Sequence, residues 1–305
     1  MTSILKKVVA VLALSAWAFV PAASLAQEAQ EAETVEQEAE KPRPRINYSK
    51  IDEFYDVFGV QKGDRRIFRF SAMTENAARV SGGFVSSLSN IKPSTLPEDE
   101  QLAYWLNLRN LLIIRAIASE TPKRNIKKAR GDFENPGEMW TRKRLEVEGK
   151  QISIDDIEKK YLLANWSSPD ILYGMYQGAR GGPAFAMPAT FSSDTVWEKL
   201  KQQGAQYVNS KRVISVRSGK AQLPSVYGWY KDSLFGGDDN AVLQHLREHA
   251  TGDLAADLAE ATSISVKKMD YKLDAVPAPR QRNANPTGFP GGGGGGGLGG
   301  GGSGS

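Results

Sequence analysis

Two histidines, His245 and His249, stand four residues apart in the run His245-Leu-Arg-Glu248-His249. That spacing puts both imidazoles on one helix face. With Glu248 it spells H-x-x-E-H, a pattern in which imidazoles hold zinc and a glutamate acts as base. A catalytic zinc needs a third protein ligand and an open position. The chain holds two His and no Cys, so the third ligand has to be a carboxylate, such as Asp253, Asp257 or Glu260. Both rings also flank the apolar stripe Val242, Leu246 and Ala250, and packing at a core boundary accounts for them without an ion. No metal and no cofactor are expected, with His245, Glu248 and His249 as the metal-binding alternative.

The loop Gln177-Gly-Ala-Arg-Gly-Gly-Pro183 is the leading pocket candidate. Its glycines let backbone approach a ligand closely, and Arg180 can grip a carboxylate or phosphate in a forked pair. A glycine-terminated helix end with a solvent-facing arginine is the plainer reading. Asn107 and Asn110 are three apart, on one face of an apolar run. Buried amides need partners, so they either tie down neighbouring backbone or, with Arg115, line a pocket. Asp155, Asp156 and Glu158 stand at a helix start, where acids cap and complement the dipole. The absence of cysteine closes thiol catalysis and thiolate metal sites. There is no G-x-S-x-G elbow and no phosphate loop ending in Gly-Lys-Ser/Thr.

These residues need a scaffold, and the patterning supplies one. Ile51, Phe54, Tyr55 and Phe58 recur at helical spacing after Ser49, and Ile67 to Phe70 reads as a short strand. A helix is predicted over 72–88, then the strongest one from Glu98 to Ser119, opened by Pro97 and acidic in its first turn. Leu145 to Ile152 reads as a hairpin turning at Glu148-Gly149. Ser153 and Asp156 resemble a capping box for a helix reaching about Leu163. A helix opened by Ser168-Pro169 and ended by Gly178 comes next, then one over Val196 to Val208. A second hairpin is expected over 212–223, two or three helices over 224–261, and a closing extended piece over 267–273. Helices dominate and strands are short and paired in hairpins. The expected class is α+β, one domain over residues 46–276.

The order of these pieces is similar to the domain of unknown function 547 family. Trp105-Leu-Asn107-Leu-Arg109-Asn110-Leu111 resembles that family's W-x-N-x-Y-N-A helix. The likeness continues through Val147-Glu-Gly149, Ile154-Asp-Asp-Ile157-Glu158, Pro169 to Pro183, Val226-Tyr-Gly-Trp229-Tyr230, Val242-Leu-Gln-His-Leu246 and Asp270-Tyr-Lys-Leu273. The resemblance brings no reaction with it, but its members are often exported bacterial proteins. Where relatives carry a His after the Ile-Glu pair, this chain has Lys159. Where they carry I-H-F-A-L, a Cys and a Cys-Pro, it reads Ile171-Leu172-Tyr173-Gly174-Met175, then Gln177, then Gly182-Pro183. A thiol and its base are both missing.

The ends carry a compartment signal. Lys6 and Lys7 precede the apolar run Val8 to Val20, and Ser24-Leu25-Ala26 offers a small-residue cleavage site. Residues 1–26 thus read as a signal peptide. Residues 27–45 read as an acidic, then Pro/Arg-rich linker. Residues 277–305 read as a flexible Pro/Gly-rich tail. The formal net charge of +4 includes Lys6 and Lys7, too little and too scattered for nucleic acid. No later segment is apolar enough to span a bilayer. The expected protein is periplasmic or secreted, soluble and non-catalytic, binding a small anionic ligand or a cell-envelope component. The alternative is a hydrolase or transferase using acidic, amide or metal-assisted chemistry.

Overall fold

A helix that is apolar on every face has to be buried on every face, and the run from Leu102 to Ile114 shields each of its residues from solvent. It belongs to α3 (Glu98–Glu120), the axis on which the rest is hung. The computed structural model describes residues 45–276 apart from 64, 74, 121–124, 186–188 and 212. The signal, the tail and all of the linker but Arg45 lie outside the described residues.

Before α3 come α1 (Ser49–Phe58), the antiparallel pair β1 (Gly59–Lys62) and β2 (Arg65–Phe68), and α2 (Glu75–Ser89). The predicted helix start at Ala72 is displaced: Phe70–Ala72 form a separate 3-10 turn. After α3 follow two single turns, α4 (Lys127–Arg130) and α5 (Glu138–Thr141). The hairpin of β3 (Leu145–Val147) and β4 (Lys150–Ile152) alternates as a half-buried ribbon must: Leu145, Val147 and Ile152 face the core. Glu148 and Gly149 both adopt positive φ at its turn, 48° and 74°.

Ser153 and Asp156 form the expected capping box. The helix they open is irregular. It runs as α6 (Ile154–Asp156), a π-helical turn over Ile157–Leu162, and α7 (Leu163–Asn165). Of the helix predicted between Ser168 and Gly178, only α8 (Ile171–Gly174) forms. Residues 175–178 leave the helix to meet α3, as described below. The helix α9 (Val196–Val208) matches its predicted bounds.

The last third holds β5 (Ser215–Arg217), β6 (Lys220–Leu223), four helices and β7 (Ser263–Val266). The helices are α10 (Ser225–Trp229), α11 (Lys231–Phe235), α12 (Asp239–His249) and α13 (Gly252–Ala259). β5 and β6 are the second hairpin, but β7 adds to β6 in parallel. β7 is an addition to the expected elements, since Ser263–Val266 offers only four residues of pattern, while the extended piece expected over 267–273 does follow it, bridging Asn125 and Ala179 through Lys272 and Leu273. The later segment is a strap rather than a strand. Its backbone bonds join it to Ile126, Arg180, Gly181, Gly178 and, through Val276, to Phe68. The class is α+β with helices dominant. No helix among the described residues is long and apolar enough to cross a membrane.

Candidate functional site

The interior polar centre lies where α3 meets the π-helical turn. Arg109 and Glu158 are sealed from solvent, at 0% and 1% exposure. Arg109 Nη2 donates to Glu158 Oε2 at 2.6 Å, while its Nη1 donates to the Tyr176 carbonyl at 2.8 Å. The Tyr230 hydroxyl donates to Glu158 Oε1 at 2.7 Å, and Arg130 Nη2 stands 3.6 Å from that oxygen. Arg130 is sandwiched between the Trp140 and Trp229 rings, 4.7 Å from each. It also donates through Nε and Nη2 to Gln177 Oε1 at 3.1 and 3.0 Å. Burial pulls the Glu158 carboxyl up, but the two guanidiniums and the hydrogen bonds outweigh it and hold the pKa below the usual range. A charge so placed is tolerable only because it is paired and bonded.

The asparagines are spent on backbone. Asn107 bonds both ways with Phe191, Nδ2 to its carbonyl and Oδ1 from its N–H, each 2.8 Å. Asn110 donates to the Gly174 carbonyl at 2.8 Å and accepts from the Tyr176 N–H at 3.2 Å. These bonds pull residues 174–176 out of helical geometry and onto α3. Gln177 is completely buried, and a Cβ at Gly182 would come within 2.5 Å of its Cβ. The two positions where the resembled family carries cysteine therefore face each other, with Gln177 filling the space in front of Gly182. Lys159, at the family's histidine position, pairs with Asp155 at 3.0 Å and lies 4.8 Å over the Phe133 ring.

Arg180 leads elsewhere. A cleft of about 460 Å³ opens between the Arg180 loop and β1–β2 on one side and the strap from Lys267 to Ala275 on the other. Lys62, Arg65, Arg180, Lys267 and Lys268 line it against two carboxylates, Asp270 and Asp274. Arg65 is bonded to the buried Asp274 through Nη2, while its Nε is buried without a hydrogen-bond partner. Burial, then the neighbouring Arg217, pushes the Lys267 pKa down. Crowded cations in a concave site attract an anion, and the volume suits a small molecule.

Of the residues singled out from sequence, Arg180 alone lines this cleft. Asn110 and Gln177 belong to the buried centre, and Asn107 is buried against the Phe191 backbone. Pro183 is buried beside Tyr173 and Tyr207 in a minor crevice. Arg115 borders shallow grooves by α2, with its Nε also buried without a hydrogen-bond partner. The cleft's other cations come from distant stretches of the chain, and no spacing links them; the doublet Lys267-Lys268 is the one local hint.

The carboxylate that meets the two histidines is none of Asp253, Asp257 or Glu260 but Asp170. Asp170, just before α8, sits 2.8 Å from His249 Nε2 and 3.8 Å from His245 Nε2 through one oxygen. The Tyr173 hydroxyl is 3.0 Å from the same His245 nitrogen and 3.2 Å from that of Tyr227. Burial, then the neighbouring imidazole, pushes the His245 pKa down to about 4 against the pull of Asp170. Glu248 points away: 61% of its side chain is exposed, 3.8 Å from the opposite ring nitrogen.

Fold and site together define a thiol-free, helix-dominated α+β domain, with an ion pair sealed in its interior and a basic cleft at its surface. Residues 93–208, well under half of the chain, match the family described as "Protein of unknown function, DUF547". The match runs from just before α3 to the end of α9, so it takes in Arg180 but not the strap. No curated protein and no solved structure matches the chain.

Proposed function

We propose that this protein is an exported, non-catalytic binding module whose ligand is a small anion carrying carboxylate or phosphate groups. The observation that carries the reading is the cleft itself: five cationic side chains around about 460 Å³, with only two acids against them. Arg65 holds one of these charges at the wall through its ion pair with Asp274. Guanidiniums in such a recess favour a charge-assisted acceptor. The sequence adds two supports. Residues 1–26 have the make-up of an export signal, and the chain contains no cysteine.

The test is a titration of the purified protein with inorganic phosphate, a tricarboxylate, a sugar phosphate and an acidic glycan fragment, read by thermal shift and calorimetry. At least one anion should bind, with affinity falling as salt rises. Arg180→Ala and Lys268→Ala should each weaken it about tenfold, the equivalent of about 1.4 kcal/mol. A flat response to all four, or binding that both variants leave unchanged, overturns the assignment.

A further inference from the structure

Far in sequence from the histidines, Asp170 completes a set of donors that their own helix cannot. His245 and His249 project from one face of α12, and Asp170 meets them from the turn that opens α8. One donor atom from each of the three lies within 4.8 Å of the others, and all three residues are buried. A tetrahedral zinc with bonds of about 2.0–2.1 Å holds its donor atoms about 3.3 Å apart. The two separations from Asp170, 2.8 and 3.8 Å, bracket that value, and all three donors lie within 4.8 Å of one another, so closure on an ion requires the two imidazoles to draw together around Asp170. The Tyr173 hydroxyl, 3.0 Å from His245 Nε2, offers a fourth donor beside His245.

The surroundings keep the donors in place. A Cβ at Gly204 would come within 2.8 Å of His249 Cε1 and 2.6 Å of the Tyr173 ring, so α9 presses its glycine against the cluster. Asn209 donates to the His249 carbonyl at 2.8 Å and closes the end of α12. Two imidazoles with a carboxylate suit zinc among the common divalent ions.

We infer that Asp170, His245 and His249, with the Tyr173 hydroxyl, form a closed structural site for a divalent transition metal, zinc foremost. The ion pins α12 to the start of α8. It is separate from the anion cleft, whose lining includes none of these residues. Because the set is closed, the site holds structure rather than activating water. Glu248, the base of the H-x-x-E-H reading, takes no part.

The full chain, stripped with a chelator and dialysed, is offered zinc chloride, and the bound metal is measured by elemental analysis. One equivalent should bind and raise Tm. Asp170→Asn and His249→Ala should each lower affinity at least a hundredfold, while Asp253→Asn and Arg180→Ala hold it within twofold. Cobalt substituted for zinc should give the visible bands of a four-coordinate ion, lost in Asp170→Asn. If His249→Ala does not fold, the near-isosteric Asp170→Asn decides alone. Zinc well below one equivalent overturns the inference, and so does zinc held equally by Asp170→Asn, which marks an adventitious ion only. A failed anion titration leaves this result untouched.

Discussion

Glu158 keeps its charge where water does not reach, because Arg109, Arg130 and Tyr230 replace the water. Removing one partner from such a set leaves the others charged and unmatched. Glu158→Gln is expected to destabilise the fold by about 3–5 kcal/mol, read as a lower urea midpoint at unchanged m-value. Little of this was legible beforehand. Glu158 sits among acids at a helix start, where capping explains them, and Asp156 does cap there. What sets Glu158 apart is an arginine on another helix, and residue periodicity carries no signal for a partner 49 positions away. The asparagines were more readable. Polar amides inside an apolar helix must find acceptors and donors, and theirs are the backbone of residues 174, 176 and 191.

At the level of elements, regular helices were easiest to read and irregular ones hardest. The bounds of α9 follow from its apolar spacing, whereas the π-helical turn over Ile157–Leu162 has no signature in a 3.6-residue pattern. The helix expected to reach Gly178 stops at Gly174 because Asn110 and Arg109 capture the backbone beyond it. Tertiary bonds outrank local propensity there. Gly204 gives the sharpest test of such override. Within an exposed helix, Gly→Ala gains about 0.5–1 kcal/mol. Here the added carbon meets Tyr173 and His249 at 2.6–2.8 Å. Gly204→Ala is expected to lose about 1–3 kcal/mol instead, measured by chemical denaturation. A gain would mean that α9 stands farther from α12 than described.

For the molecule as a whole, the α+β class followed from long amphipathic runs separated by short hairpins, while the parallel β7 and the strap depended on contacts that no local pattern announces. The interior is unusually phenolic. Burial raises the pKa of Tyr48, Tyr55, Tyr104, Tyr176 and Tyr230. An unfolded tyrosine ionises near pH 10. Groups whose folded pKa lies higher contribute stability below that pH and lose it above, by up to about 1.4 kcal/mol per pH unit each. The fold should therefore be level through neutral pH and collapse steeply beyond about pH 10. Tyrosinate absorbance and far-UV circular dichroism should change together, and phenols that ionise near pH 10 in a still-folded chain would contradict this packing. With no disulfide available, nothing covalent delays that collapse. The strap has a consequence of another kind. A ribosome delivers Lys62, Arg65 and Arg180 well before Lys267 to Ala275, the segment that faces them across the cleft. During synthesis the basic half of the recess stands without its opposite wall, and Arg65 without Asp274. A nascent chain halted at residue 266 already contains the sequence of every helix described, yet only half a receptor.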